Sequence, residues 1–578
     1  MRTEERKDHN KQKSMWLRRF ILSVCMLAPG LLYGCGEEVP VSSERIETEG
    51  AIVPGEEIDL ERLTRGEVQL SVSKLEDYGT EAALYYKDDG EKLEYSLVMP
   101  QIPASDDAYL YLFQEACYED GTLSGEPVAF KAKRRYWKIK FPYKKEYLFD
   151  QFVPALLIDG EYVPVASGVY VLNPEALAEN QDAYPDVGSK KGLLLDPTML
   201  KTTELTDLGV KHAIYNIPLS HIMGETTNAF LPTIEYEYEG RTYLFNGAAI
   251  NGYDELFEYL EDLGMCATVV VLNDWNEQHL ELIHPEARDQ ESGAYYYMFN
   301  AADAEGVQTL EAVASFLADR YSGGEHGIVH SWVIANEINQ NKLWNYLNTV
   351  DVAYYAQEFE RGMRIFYQAI KSEYANAKVY FSIDHDWNSN KTASPKYFNA
   401  KDLVRAFNDA ALLHGNYDWG IAIHPYPQPM TRVNYWSQSY DKTQDAEIVS
   451  IMNLGVLTDF LSQDKYLDTN GEVRSITITE LGFSSKSGEK LQAAAFAYCY
   501  YITQANPYID AFIMNRQTDA PEEVKQGLAF GIYEYDHSPK YIKDVFRYID
   551  TDQAAKYTDF MLNILEVDSL EEALSWAQ

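Results

Sequence analysis

The sequence predicts an α/β protein: a (β/α)8 TIM barrel preceded by an antiparallel β-sandwich. Three observations carry this. From residue 191 onward, short apolar runs alternate eight times with helical stretches. Before residue 172, the runs instead alternate apolar and polar residues and are separated by Gly, Asp and Pro clusters. The later apolar runs end on polar and aromatic residues, as strands do when one rim of a barrel carries a cleft.

The chain has 578 residues, which suits a domain of barrel size plus a smaller one. Its formal net charge of −41 opposes contact with phosphate backbones and excludes nucleic acid as a natural partner. Residues 1–35 are read as a signal: Lys11, Lys13, Arg18 and Arg19 precede the apolar run "FILSVCMLAPGLLYGC". That run is short for a spanning helix and ends at small residues. "LYGC" (32–35) resembles a bacterial lipobox, which implies cleavage before Cys35, lipidation of its sulfur, and a membrane-anchored lipoprotein on the extracytoplasmic side. Residues 36–65 are acidic and poor in bulky apolar residues, as in a tether. Cys117, Cys266 and Cys499 form no CxxC pair and read as buried small apolar residues.

Residues 66–172 contain "VQLSVSKL", "AALYYK", "KLEYSLVMP", "AYLYLF", "RYWKIKFPY" and "YVPVASGVYVL". Their period of two, broken by "KDDGEK" and "EDGTLSGEP", predicts the sandwich. Residues 173–190 read as a linker. The barrel spans 191–550, and 551–578 form a C-terminal helical segment. The eight strands are expected in "KGLLLD", "VKHAIYNIPLS", "MCATVVVLNDW", "GIVHSWVIANEIN", "AKVYFSIDHDW", "WGIAIHPYP", "SITITELGF" and "IDAFIMNRQTD". Near-continuous apolar runs suit strands buried on both faces. "TMLKTTELTDLG" is expected to be the first helix, and "TIEYEYEGRTYLFN" a hairpin in the second loop. An open doubly wound sheet is disfavoured by the eight units and by the lack of a GxGxxG or GxxxxGK[ST] phosphate loop.

Strand three ends on Asn273, Asp274 and Trp275; strand four on Asn336, Glu337 and Asn339; strand five on Asp384, His385, Asp386, Trp387 and Asn388. Strand six ends on His424, Pro425 and Tyr426, strand seven on Glu480, and strand eight on Asn515, Arg516 and Gln517. Any one of these could be a solvated strand terminus; six together argue for a polar cleft. Glu337 and Glu480 would face each other across its mouth. Two opposed carboxylates are the equipment of glycoside hydrolysis, one protonated to donate and one ionised to attack.

"ANE" (335–337), "ITITELGFSS" (476–485), "NIPLS" (216–220) and "HPY" (424–426) resemble the clan A retaining glycoside hydrolases, a cellulase-like superfamily. The resemblance implies that Glu337 is the general acid/base and Glu480 the nucleophile. It also implies that Asn336 bonds the sugar 2-hydroxyl, and that His424 and Tyr426 sit beside the nucleophile, the Tyr426 hydroxyl orienting it. The chain departs from the clan where an Arg is expected on an early strand, since Asn216 stands there. It departs again on strand eight, where Asn515, Arg516 and Gln517 replace a Trp and Arg516 is a candidate for an electrostatic substitute.

"SIDHDWNSN" contains His385 between two aspartates, but neighbours along a strand face opposite ways, which disfavours convergence on a metal. His385 and Trp387 are instead candidate sugar contacts, as are Asn273 and Trp275. Trp344 and Trp436, on loops, are further stacking candidates. The expectation is a retaining hydrolase of β-linked oligo- or polysaccharides, needing no cofactor and no metal. The alternative is a glycan-binding lipoprotein on a degenerate barrel.

Overall fold

The computed structural model describes residues 81–88, 90–119, 121–226, 228–389 and 397–577. The signal, Cys35, the tether and "VQLSVSKL" lie outside the described residues.

Among the described residues, seven strands precede the barrel: β1 (Glu81–Lys87), β2 (Lys92–Val98), β3 (Tyr109–Glu115), β4 (Ala129–Ala132), β5 (Tyr136–Pro142), β6 (Gln151–Ile158) and β7 (Glu161–Pro164). They form two antiparallel sheets, ordered β1-β2-β5 and β4-β3-β6-β7. Leu84, Leu93, Tyr95 and Leu97 of the first sheet share a core with Leu110, Leu112, Phe152 and Leu156 of the second. Alternation makes this possible: in β2, Leu93, Tyr95 and Leu97 are buried while Lys92, Glu94 and Ser96 are only half-buried. β6 has no such alternation. Its first six residues are all buried and it contains Pro154, so neither period nor propensity marks it as a strand.

Of "YVPVASGVYVL" only β7 is regular; Val165, Ala166, Val169 and Val171 pack in the sandwich core, and the end of the stretch also reaches the barrel. The Tyr170 N–H donates to the His414 carbonyl (3.3 Å) and Gln368 Nε2 donates to the Val171 carbonyl (2.9 Å). The Arg364 guanidinium, almost fully buried, stands over the rings of Tyr417 and Tyr170, 3.7 and 4.9 Å from their centroids.

The barrel strands are β8 (Lys191–Leu194), β9 (His212–Pro218), β12 (Cys266–Leu272), β13 (Ser331–Ile334), β14 (Lys378–Asp384), β15 (Trp419–His424), β16 (Ile476–Leu481) and β17 (Ile509–Met514); the hairpin β10 (Ile234–Tyr238) and β11 (Arg241–Phe245) lies between β9 and β12. The eight close in chain order, all parallel, with β17 pairing β8. Helices follow in the expected places, among them Gly247–Asp262, Ala304–Arg320, Val352–Glu373, Ala400–Leu413 and Glu489–Ala505. Among the described residues, no helix is long and apolar enough to cross a membrane.

Two expected elements are shorter. The helix after β8 is only Glu204–Asp207 behind a 3-10 turn, in a stretch rich in threonine, a poor helix former. The fourth strand stops at Ile334. Ala335 (φ 64°) and Glu337 (φ 37°) are then left-handed: the Ala335 N–H still donates to the Val271 carbonyl of β12 (3.0 Å), and the Glu337 N–H leaves the ladder. The Glu337 N–H donates instead to Ser382 Oγ (2.6 Å), and the Ile338 N–H to the Ser382 carbonyl (3.0 Å), both from β14.

Candidate functional site

A cavity of roughly 480 Å³ opens at the carboxyl ends of the strands. Its floor is apolar, with Leu194, Ile214, Val270, Leu272 and Val333. Asn336, Glu337, His424, Thr479, Glu480 and Asn515 wall one side, and Asn216, Tyr296, Trp344, Arg516 and Glu523 stand around the mouth. This volume is in the range of pockets that enclose a small ligand, about 300–1,000 Å³.

The two glutamates meet at one imidazole. His424 Nδ1 lies 2.7 Å from Glu337 Oε1 and 3.8 Å from Glu480 Oε2, while its Nε2 lies 3.1 Å from Thr479 Oγ1. Glu337 Oε1 and Glu480 Oε2 are therefore separated by no more than those two distances laid end to end, about 6.5 Å. Glu480 Oε1 accepts from the Tyr426 hydroxyl (2.9 Å) and from Asn515 Nδ2 (3.1 Å), and Asn515 Nδ2 also reaches the Tyr426 oxygen at 3.0 Å. These donors fix the carboxylate and leave Oε2 facing the imidazole.

The approach of Asn515 depends on Gly482. A Cβ at Gly482 would meet the Asn515 carbonyl oxygen at 2.1 Å, so the "ELG" after β16 permits the contact that the neighbouring strand makes.

The electrostatics act on Glu337 and His424. Burial pushes the Glu337 carboxyl up to about 7; the hydrogen bond and charge of His424 oppose this, and Asp384 and Glu480 add to it. For His424, burial acts downward, but the charge of Glu480 and the bond to Glu337 outweigh it, and its pKa lies above the ordinary imidazole value. Protons are therefore shared across a coupled cluster, with Glu337 as the carboxyl able to hold one near neutrality. Asp384 is itself occupied by Asn339 Nδ2 (2.5 Å) and Gln340 Nε2 (2.6 Å).

The expected residues divide into two sets. Asn336, Glu337, His424, Tyr426, Glu480 and Arg516 gather at the cavity. Arg516 is paired with Glu523 at 2.8 Å. Asn273, Trp275, His385 and Trp387 do not line it. Asn273 Nδ2 donates to the carbonyls of Leu282 (2.8 Å) and Met298 (3.3 Å), pinning the loop after β12. Trp275 packs edge-on against Tyr297, and Trp387 edge-on against Phe460 with 1% of its surface exposed. His385 Nε2 lies 2.7 Å from the Gln428 amide. Of the loop tryptophans, Trp344 lines the cleft, whereas Trp436 lines a separate hollow with Trp576. Among the described residues, no group of three or more His, Cys, Asp or Glu is arranged to hold a metal ion.

The strand-end residues alone do not single out Ser382, Thr479 or Asn515, which hold the Glu337 amide, the His424 ring and the Glu480 carboxylate in turn. Ser382 and Thr479 sit inside strand runs, where a hydroxyl reads as a tolerated core residue. Tyr296 comes from the loop after β12 and Glu523 from the short helix Pro521–Lys525 after β17, whose paths the pattern does not reveal.

The model of a family of unknown function (DUF5722) matches residues 183–573. No curated protein matches the chain. Among solved structures, the chain is similar to a family 39 glycoside hydrolase from Bacteroides cellulosilyticus (13% identity, 82% of this chain and 83% of that one, TM-score 0.41). It is also similar to a family 1 β-glucosidase from Thermotoga maritima (12%, 61% and 85%, 0.37) and a β-glucuronidase from Ruminococcus gnavus (10%, 81% and 67%, 0.34).

Proposed function

The chain belongs to the DUF5722 family, and we propose that it is a retaining glycoside hydrolase acting on β-linked glycans through Glu337 and Glu480. The observation that carries this reading is the closeness of the two carboxylates across His424, with an upper limit of about 6.5 Å. Retaining enzymes need roughly 5–5.5 Å; inverting enzymes need roughly 6.5–9.5 Å to admit a water. The limit falls at the bottom of the inverting range.

In the first step Glu480 Oε2 attacks the anomeric carbon and forms a glycosyl ester. The glycosidic C–O bond breaks, and the leaving oxygen takes the proton from Glu337. Esterification removes the negative charge that helps hold the Glu337 pKa up, so Glu337 then becomes the better base. In the second step it takes a proton from water, whose oxygen attacks the anomeric carbon and releases Glu480. Asn336, on the same wall, is suited to bond a sugar hydroxyl.

The test is turnover by the purified protein on a panel of aryl β-glycosides and polysaccharides, with the product anomer followed by NMR, beside Glu337→Gln and Glu480→Gln. Retained configuration with activity lost in both variants is expected. Inverted product would overturn the mechanism. Glycan binding without turnover across the panel would replace it with the binding-protein reading.

From the sequence of residues 1–35 we also infer export and anchoring through a lipid on Cys35. A diacylglyceryl mass on the mature N-terminal peptide is expected; an unmodified cysteine there would remove the anchor.

A further inference from the structure

The rings that line the cleft include Tyr215, Tyr253, Tyr296 and Trp344. Across from Glu480, the loops after β12 and β13 run together. The Tyr295 N–H donates to the Leu343 carbonyl (2.8 Å), the Tyr346 N–H to the Tyr296 carbonyl (2.9 Å) and the Met298 N–H to the Tyr346 carbonyl (2.9 Å). This pairing sets the Tyr295 ring nearly parallel to Trp344, with centroids 4.8 Å apart and 19° between the planes. Trp344 lines the cleft, and Tyr295 is 61% exposed at its lip. The platform is also tied to the candidate acid: the Gln340 N–H donates to the Glu337 carbonyl (2.7 Å) and the Trp344 N–H to the Gln340 carbonyl (3.0 Å).

Position gives the platform a role. Around the closed barrel β12 is four strands from β16 in either direction, so its loop stands opposite the strand that carries Glu480. In a displacement the leaving group departs from the face opposite the nucleophile, toward the acid that protonates it. That direction leads past Glu337 to Trp344 and Tyr295. A braced, half-exposed indole offers a flat apolar surface at little ordering cost, matched to the C–H face of a pyranose.

We propose that Trp344 and Tyr295 form the leaving-group subsite, stacking on the ring of the sugar unit or aryl group released in the first step. This rests on the glycosidase reading above and adds where the released group binds. It also makes fluoride, a leaving group with no ring, blind to the platform.

The experiment compares β-glycosyl fluorides with 4-nitrophenyl β-glycosides and β-linked disaccharides of the same sugars (gluco, galacto, manno and xylo) in wild type, Trp344→Ala, Trp344→Phe and Tyr295→Ala. Trp344→Ala is expected to lose about tenfold or more in kcat/KM on the nitrophenyl glycoside and disaccharide, and less than about twofold on the fluoride. Trp344→Phe should recover most of that loss, and Tyr295→Ala should show a smaller one with the same selectivity. Equal losses on all three substrates, or none on any, would overturn the subsite while leaving the glycosidase reading in place. No turnover of any fluoride by the wild type would overturn both.

Discussion

Two sets of strand ends share one rim and do different work. At β13, β15, β16 and β17, Glu337, His424, Glu480 and Asn515 turn toward one another, at distances from 2.7 to 3.8 Å. At β12 and β14 the residues turn away: Asn273 and Trp275 hold down the loop that follows β12, while His385 and Trp387 contact Gln428 and Phe460 in the long segment after β15. Both sets are polar or aromatic, and both follow apolar strands. The difference is where the next stretch of chain goes. A long loop crossing the rim has carbonyls and apolar side chains of its own, and strand-end residues beneath it satisfy those before they can face a ligand.

The sharpest break between the sets is expected in catalysis against stability. Glu480→Gln or Glu337→Gln should cost at least about a thousandfold in kcat/KM. Trp387→Ala should cost ~3–5 kcal/mol of stability, as a large buried side chain does, while the folded fraction keeps its kcat/KM within about twofold. Urea unfolding and initial rates on one preparation measure both. Comparable rate losses in the two sets would dissolve the distinction.

The cluster's protonation sharpens it further. With Glu337 raised to about 7, kcat/KM should fall above that pH by about tenfold per unit as the acid loses its proton. His424 opposes the rise through its hydrogen bond and charge, so His424→Asn should move this alkaline limb upward, whatever it does to the maximum rate. A limb that stays in place would detach His424 from the proton economy of the pair. Tyr426→Phe comes next in size. It removes one of the two donors on Glu480 Oε1 and is expected to cost roughly ten- to a hundredfold in kcat/KM, the scale of a hydrogen bond to a charged group.

Much of this architecture is readable from the apolar runs. The eight strands and the hairpin after β9 stand where period and composition put them, because strands buried on both faces and the turn "YEG" leave strong local signals. The places where local reading falls short share a cause in tertiary contact. β6 is regular although it neither alternates nor avoids proline, since its partners and covered faces, not its own pattern, make it a strand. Glu337 lies beyond β13 rather than on it, because Ser382 of the next strand captures its amide. "ANE", "TE" and "HPY" mark the carboxylate wall, but Asn515 on Glu480 becomes visible only once Gly482 is seen to admit it.

The smallest effect is the most exacting test of the division. His385 is adjacent in sequence to Asp384, which faces the cluster around Glu337, and its own ring lies 2.7 Å from the Gln428 amide and 3.9 Å from Asp386 Oδ1. His385→Ala should therefore change kcat/KM by less than about threefold and lower stability by about 1 kcal/mol, the worth of one ordinary hydrogen bond. Gln428 belongs to the loop that follows β15, the strand carrying His424, so this contact is one bridge between the two sets of strand ends. If His385→Ala lost as much activity as Tyr426→Phe, the loop after β15 would be positioning His424 through that bridge. The rim would then act as one unit in which residues turned away from the cleft still set its geometry.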